Sequence, residues 1–202
     1  MNSVKISRRS RYHHGALRDA LIDAARAVVE ERGPDGFSLR EAARRAGVSP
    51  AAPGHHFGDA RGLLTALATV TSRSFGDALE QADVGRDRIA RLRAQGMAYV
   101  RFALAHRAAF DLIWRRGLVD AADEELKAAN RRAFLILDRV VRGEGAADAS
   151  PCEVDAASSL AAWATVHGFT QLALSGVFGG DEGAAERAVD ALLPAVLDRL
   201  AL

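Results

Sequence analysis

The chain has 202 residues, 49% of them hydrophobic and 26% charged, a balance that excludes a disordered or fibrous polymer and suffices to bury a core without disulfides. Its one cysteine, Cys152, can neither close an internal bridge nor build a four-thiolate zinc site, as suits a reducing compartment. No apolar run approaches the roughly 18 residues of a membrane span, and no secretory leader is legible, so a cytoplasmic protein without membrane partners is expected. The net charge of +1 hides an asymmetry: residues 1–62 hold 11 Lys and Arg against 7 Asp and Glu, and the remainder holds 16 against 19. Only the first third suits a polyanion. Lys5, Arg8, Arg9 and Arg11 come before any acid, as either a solvated leader or a basic arm.

Helical periodicity runs from end to end. Leu17, Leu21, Ala24, Ala25, Val28 and Val29 recur at three- and four-residue spacing and predict an amphipathic helix over 17–32, stopped by Gly33-Pro34-Asp35-Gly36. Ser38-Leu39-Arg40-Glu41 reads as a capping box that opens a short second helix, ended by Gly47. After the turn Gly47-Val48-Ser49, a third helix can start with Ser49 as its cap and Pro50 in its first position. Pro53 is then tolerated near the start at the loss of one hydrogen bond. Asp59 caps a long fourth helix whose stripe is Leu63, Leu64, Leu67, Val70, Phe75 and Leu79. Further helices are predicted over 86–106, 109–116, 124–142, 153–175 and 182–200. No segment alternates with period two, so the fold class is all-α. The glycine-rich stretch 176–183 lacks the Lys-Ser/Thr of a phosphate-binding loop and reads as a connection.

Two short helices joined by a three-residue glycine turn, on the basic third of the chain, have the spacing of a helix-turn-helix. That spacing serves a structural hairpin as readily as a DNA-reading one. Where it reads DNA, a helix of this width enters the major groove and presents its first residues to base edges. The histidines pair as neighbours, His13-His14 and His55-His56. Neighbours on a helix point about 100° apart, which is not the i, i+4 face of a helical zinc site. Neither a metal site nor a catalytic triad can be assembled around them or around Cys152, so no catalytic residue, metal or cofactor is expected.

The run Phe37-Ser38-Leu39-Arg40-Glu41-Ala42-Ala43-Arg44-Arg45-Ala46-Gly47-Val48-Ser49, continuing to His56-Phe57 and Leu63-Leu64, resembles the DNA-binding region of the TetR family of bacterial transcriptional regulators. Tyr12-His13-His14-Gly15-Ala16-Leu17 and Trp163-Ala164-Thr165-Val166-His167-Gly168 look like the branch named for its Trp-His-Gly C-terminal domain. The resemblance implies a homodimer whose N-terminal domains read a palindromic operator and release it when a small, mostly apolar ligand enters the C-terminal domain. It divides the chain into residues 1–60, a helix-turn-helix domain with a basic arm, and residues 61–202, a helical bundle for ligand binding and dimerisation. Two departures matter. Gly54 and Ala60 stand where the family usually has a tyrosine and a lysine on DNA phosphates. Their absence opens a rival reading, a dimeric helical ligand-binding or interaction protein with weak or lost DNA binding.

On this basis the residues expected to meet DNA are Arg8, Arg9, Arg11, Ser38, Arg40, Ser49, Pro50, Ala51, Ala52, His55 and Arg61, the last with the leader arginines replacing the missing phosphate contacts. Tyr99, Phe102, Phe110, Trp114, Phe134, Trp163 and His167 are expected either to line a ligand cavity or to form plain core. A cavity of about 300 Å³ or more among them marks a ligand site. The expected dimer interface combines a small-residue stripe, Ala157, Ala161, Ala164 and Gly168, with an apolar one, Val189, Leu192, Leu193, Val196 and Leu200. The expected partners are duplex DNA, a second copy of the chain and a small-molecule effector.

Overall fold

The computed structural model describes residues 8–148, 150–179, 181 and 183–200, with side chains from residue 15 onward. Among the described residues it contains ten α-helices and no strand. α1 (Arg8–Arg32) starts nine residues ahead of the expected Leu17. Only Gly15 in that stretch is a poor helix former, and its penalty of about 1 kcal/mol does not stop a helix anchored by the buried Leu21, Ile22, Ala25, Val28 and Val29. A 3-10 turn, Pro34–Gly36, leads into α2 (Leu39–Arg45).

Half of the expected capping box forms. Ser38 Oγ accepts from the Glu41 amide at 3.4 Å, but the Glu41 carboxylate accepts from Arg44 at 2.7 and 2.8 Å and from Arg45 at 2.9 Å. Two cations outcompete a neutral amide for a carboxylate. Gly47, at φ 68°, turns the chain in the left-handed region that disfavours a side chain. α3 (Ala52–Phe57) begins later than expected, after a turn in which the Ala52 amide donates to the Ser49 carbonyl at 3.0 Å. The delay moves Pro53 into the first turn, where its missing N–H leaves no hydrogen bond unmade.

α4 (Ala60–Gln81) is capped by Asp59, which accepts from the Gly62 amide at 2.8 Å. A Cβ at Gly62 would lie 1.9 Å from the Phe57 carbonyl oxygen, so only glycine lets α3 run this directly into α4. α5 (Arg88–Ala105), α6 (Arg107–Trp114) and α7 (Glu124–Arg142) follow. The helix expected over 153–175 is a 3-10 turn, Val154–Ala156, followed by α8 (Ala157–Leu174). That expected over 182–200 is broken into α9 (Ala184–Ala191) and α10 (Leu193–Leu197). Pro194 accounts for the break, because inside a continuous helix it would lack its hydrogen bond and crowd the carbonyl four residues back.

Two cores meet along α4. The first packs Leu21, Ile22, Ala25 and Val29 of α1 and Ala42 of α2 against Leu63, Leu64 and Leu67. It also takes in Leu112, Val119 and Leu126, so the N-terminal unit is closed partly by residues far beyond position 60. The second core gathers Phe75 and Leu79 of α4 with Tyr99, Val100, Phe110, Ile113, Val166, Phe169, Val189, Leu193 and Leu197. A buried polar bridge pins α7 to α8: Asp138 accepts from Arg142 at 2.7 and 2.8 Å and from Ser159 at 2.7 Å.

Leu67 is fully buried where α4 crosses the first core, so its truncation leaves a cavity there. Leu67→Ala is expected to lower the unfolding free energy by about 2–5 kcal/mol, read from the midpoint of a urea denaturation curve.

Candidate functional site

The α2–α3 corner builds the first candidate site. Arg40, Ser49, Pro50, Ala51 and His55 are exposed, and Ser38 and Ala52 half-buried, so seven of the expected DNA contacts share one end of the molecule. Arg32, Ser38, Arg40, Glu41, Arg44, Val48 and Pro50 surround a surface concavity of about 390 Å³. Arg44 and Arg45 share Glu41, holding the pKa of its carboxyl down to about 2, and Arg45 also pairs with Glu31. Arg40 makes no hydrogen bond or ion pair with the described residues, so its guanidinium stands in solvent with all its donors unused. Arg18 lies over the Phe57 ring at 5.5 Å and ties α1 to the end of α3.

Arg61 is exposed and also engaged within the chain. It donates to the Val119 carbonyl at 3.1 Å and stands 3.9 Å from Asp120, bridging the start of α4 to the segment between α6 and α7. The same joint is closed by the Asp120 amide, which donates to Thr65 Oγ1 at 2.8 Å. The side chains of Arg8, Arg9 and Arg11 lie outside the described residues. Gly54 is exposed with open space where a Cβ would stand, so nothing steric bars a larger residue there.

The second candidate site lies in the C-terminal bundle. A chamber of about 50 Å³ is lined by residues of α4 to α8, among them Gln95, Tyr99, Trp114, Phe134 and Trp163. Of the seven residues expected around a cavity, four line it. Phe110 and Phe102 instead pack behind Phe75, with ring centroids at 5.7 and 5.3 Å, and His167 stands outside it. The enclosed volume is well below the 300 Å³ expected of a cavity among these side chains, because the aromatics largely fill their own space. A cleft of about 390 Å³ opens beyond it and shares Ile113, Trp114, Asn130, Phe134 and Trp163 with the chamber. The Trp114 and Trp163 rings, 5.7 Å apart, stand on the boundary between the two.

A polar chain runs beside the chamber. Trp163 Nε1 donates to the Tyr99 hydroxyl at 3.3 Å, and the hydroxyl lies 2.8 Å from His167 Nδ1. Indole is donor only, so the Tyr99 hydroxyl accepts from Trp163, and on its far side the His167 ring meets the Gln171 amide, with Nε2 at 3.4 Å from the Gln171 nitrogen. Burial raises the Tyr99 pKa and lowers that of His167; both effects favour the neutral forms.

Sequence reasoning missed the connection between the sites. Glu30, near the end of α1, accepts from the Ala108 and Ala109 amides at 3.3 and 3.2 Å, capping α6 from another helix. At the other end of α6, Arg115 pairs with Asp35 and with Asp111. A cap supplied in trans leaves no local sequence signature. Gln95 was missed too, although its spacing from Leu92 and Tyr99 places a polar residue on an apolar stripe.

The face expected to dimerise divides. Ala157, Ala161, Ala164, Gly168 and Leu192 are exposed. Val189 and Leu193 are fully buried in the chain's own core, and Val196 and Leu200 pack against it. Val189 and Leu193 are thus committed to the chain's own core, while Val196 and Leu200 stay partly exposed. Leu160 and Leu172, 43% and 47% exposed on α8, supply an apolar surface that the small-residue stripe alone did not indicate. No described helix is long and apolar enough to cross a membrane.

Comparison with known proteins agrees with this arrangement. Residues 21–67 match bacterial regulatory proteins of the tetR family. Residues 92–196, more than half of the chain, match the tetracyclin repressor-like C-terminal domain. The HTH-type transcriptional regulator BetI of Yersinia pestis (strain Pestoides F) is 41% identical over 80 residues, 38% of this chain. The match spans only 40% of that relative's length. A protein of unknown function from Rhodococcus sp. RHA1 superposes with a TM-score of 0.75 at 35% identity, over 95% of this chain and 98% of that one. The TetR family transcriptional regulator PfmR from Thermus thermophilus has a TM-score of 0.64 at 19% identity, over 88% of this chain and 97% of that one, a likeness of fold.

The lowered His167 pKa carries a sign. The unfolded chain takes up the proton first, so the contribution of the neutral ring is fully present above the ordinary imidazole value and falls as pH drops through it. The thermal midpoint is expected to decline below about pH 6.5, read by calorimetry across a pH series. His167→Gln is expected to flatten that part of the pH profile.

Proposed function

The chain belongs to the TetR family of bacterial transcriptional regulators, and from that premise we propose that it is a homodimeric repressor that grips a palindromic operator and releases it when a small molecule enters the C-terminal bundle. The observation that carries the reading is that one element, α6, belongs to both sites. Ile113 and Trp114 wall the chamber, while Glu30 and Asp35 hold the two ends of the same helix to the reading head. A ligand that parts Trp114 from Trp163 bears directly on these anchors. Binding alone releases nothing; the ligand acts to the extent that it prefers the conformation with the reading heads wrongly spaced.

Reading a palindrome takes two recognition helices about 34–36 Å apart, hence two copies of a chain with one such motif. The exposed face of α8 supports that pairing: Ala157, Ala161, Ala164 and Gly168 allow close approach, and Leu160 and Leu172 supply apolar area. Sedimentation of the purified protein is expected to give a dimer at micromolar concentration, and Leu160→Arg combined with Ala164→Arg a monomer.

On DNA, Arg40 reaches base edges, the helix start at Ala51 and Ala52 meets thymine methyl groups, and Arg8, Arg9 and Arg11 hold a groove or phosphates. Selection from random duplexes is expected to yield a palindromic consensus. Arg40→Ala is expected to lose about 1–3 kcal/mol and relax preference at one position of each half-site. The second reading, a ligand-binding or interaction protein with weak DNA affinity, draws on Gly54, Ala60 and the commitment of Arg61 to Val119. Absence of any enriched sequence decides for it.

A further inference from the structure

Gln95 of α5 is 2% exposed and lines the chamber, and neither its Nε2 nor its Oε1 has a hydrogen-bond partner among the described residues. Such a group stands out because buried polar atoms are nearly always paired. The acid nearest in effect is Asp83, whose pKa is lowered chiefly by its two hydrogen bonds to Arg91, at 2.6 and 2.7 Å, and only slightly by the Gln95 amide. That approach falls short of hydrogen-bond geometry. Two other polar atoms at the chamber are already paired. The Tyr99 hydroxyl serves Trp163 and His167, and Asn130 Oδ1 accepts from Ser72 at 2.8 Å.

We propose that Gln95 is the recognition group for the effector, and that the effector is a small uncharged molecule whose apolar body carries a cis-amide edge, as in a lactam or a primary carboxamide. This rests on the ligand-release reading given above. The chemistry follows from complementarity. A side-chain amide presents an acceptor beside a donor, and both are satisfied at once only by a ligand that presents a donor beside an acceptor, in a cyclic pair of hydrogen bonds. A ketone or ether answers the donor alone and leaves Oε1 unmet.

Charge is excluded by the walls. No side chain lining the chamber is ionisable at neutral pH, so a carboxylate or an ammonium would be stripped of water without a counter-ion. The basic residues Arg116, Lys127 and Arg131 line the outer cleft, not the chamber. Size is bounded as well. At roughly 10–15 Å³ for each water-sized group, about 50 Å³ admits a few atoms beside Gln95. The rest of a six- or seven-atom ring must therefore displace Trp114 and Trp163 towards the cleft, which gives binding an optical signal.

The experiment titrates the full-length protein with benzamide, toluene and benzoate, three probes of one shape, following tryptophan emission and thermal midpoint, and repeats this with Gln95→Met. Benzamide is expected to bind the wild-type protein at least about tenfold more tightly than toluene or benzoate. Gln95→Met is expected to weaken benzamide by at least about tenfold, leave toluene unchanged or tighter, and keep or raise the ligand-free midpoint, since an unmet buried amide is removed. Toluene or benzoate equalling benzamide on the wild-type protein, or benzamide unaffected by the substitution, overturns the role of Gln95 while leaving the ligand site standing. Failure of all three probes to change emission or midpoint removes the ligand site and this inference with it. Should Gln95→Met not fold, the ranking of the probes on the wild-type protein decides.

Discussion

The rest of the structure depends on α4 being buried against two cores at once. Its first half supplies Leu63, Leu64 and Leu67 to the core under the reading head, and its second half supplies Phe75 and Leu79 to the core around the chamber. Close-packed interiors resist continuous deformation, so α4 cannot shift at one end without the other end repacking. A helix under this constraint is a rigid connecting rod. Thr65 strengthens it sideways: its Oγ1 donates to the Arg61 carbonyl at 2.7 Å and accepts from the Asp120 amide, fixing the start of α4 to the loop that follows α6.

α6 is the second rod, packed into both cores through Leu112, Phe110 and Ile113 and fastened at its ends by charge. The Glu30 carboxylate sits at the positive end of the helix dipole and takes two backbone donors that would otherwise be orphaned. Arg115 closes the far end on Asp35. The element that walls the chamber is thus fastened to the reading head by charge-assisted hydrogen bonds, which are directional and break over short displacements. The packing of α4 and the directional hydrogen bonds at the ends of α6 thus run side by side between the helix-turn-helix corner and the chamber.

The chamber shows the usual tension between stability and function. An aromatic cluster of Phe75, Tyr99, Phe102 and Phe110, with centroid separations of 4.8–5.7 Å, fills most of the space and stabilises the bundle. Set against it are a buried amide with no hydrogen-bond partner among the described residues and a network in which burial favours the neutral hydroxyl and imidazole. Polar groups of this kind weaken a core unless something completes them, and local rules are most often broken where function requires it.

How much of this was legible in the sequence depended on the range of the interaction responsible. The all-helical class, the fourth helix with its Asp59 cap, the bounds 124–142 of α7, and the helix-turn-helix corner with its family resemblance were all readable, because periodicity, caps and glycine turns act over three to seven residues. The late start of α3 at Ala52, just before Pro53, and the break at Pro194 lie within reach of the same local rules, yet the expected helices run through both prolines. Tertiary structure alone decided which way the apolar stripe of the last helices faces, turning Val189 and Leu193 inward. It alone joined Arg61 to the Val119 carbonyl and capped α6 with a carboxylate 78 residues away. It also left the Gln95 amide without a hydrogen-bond partner among the described residues. Each of these outcomes turns on what stands opposite a side chain in space, and a linear pattern records only what stands beside it along the chain.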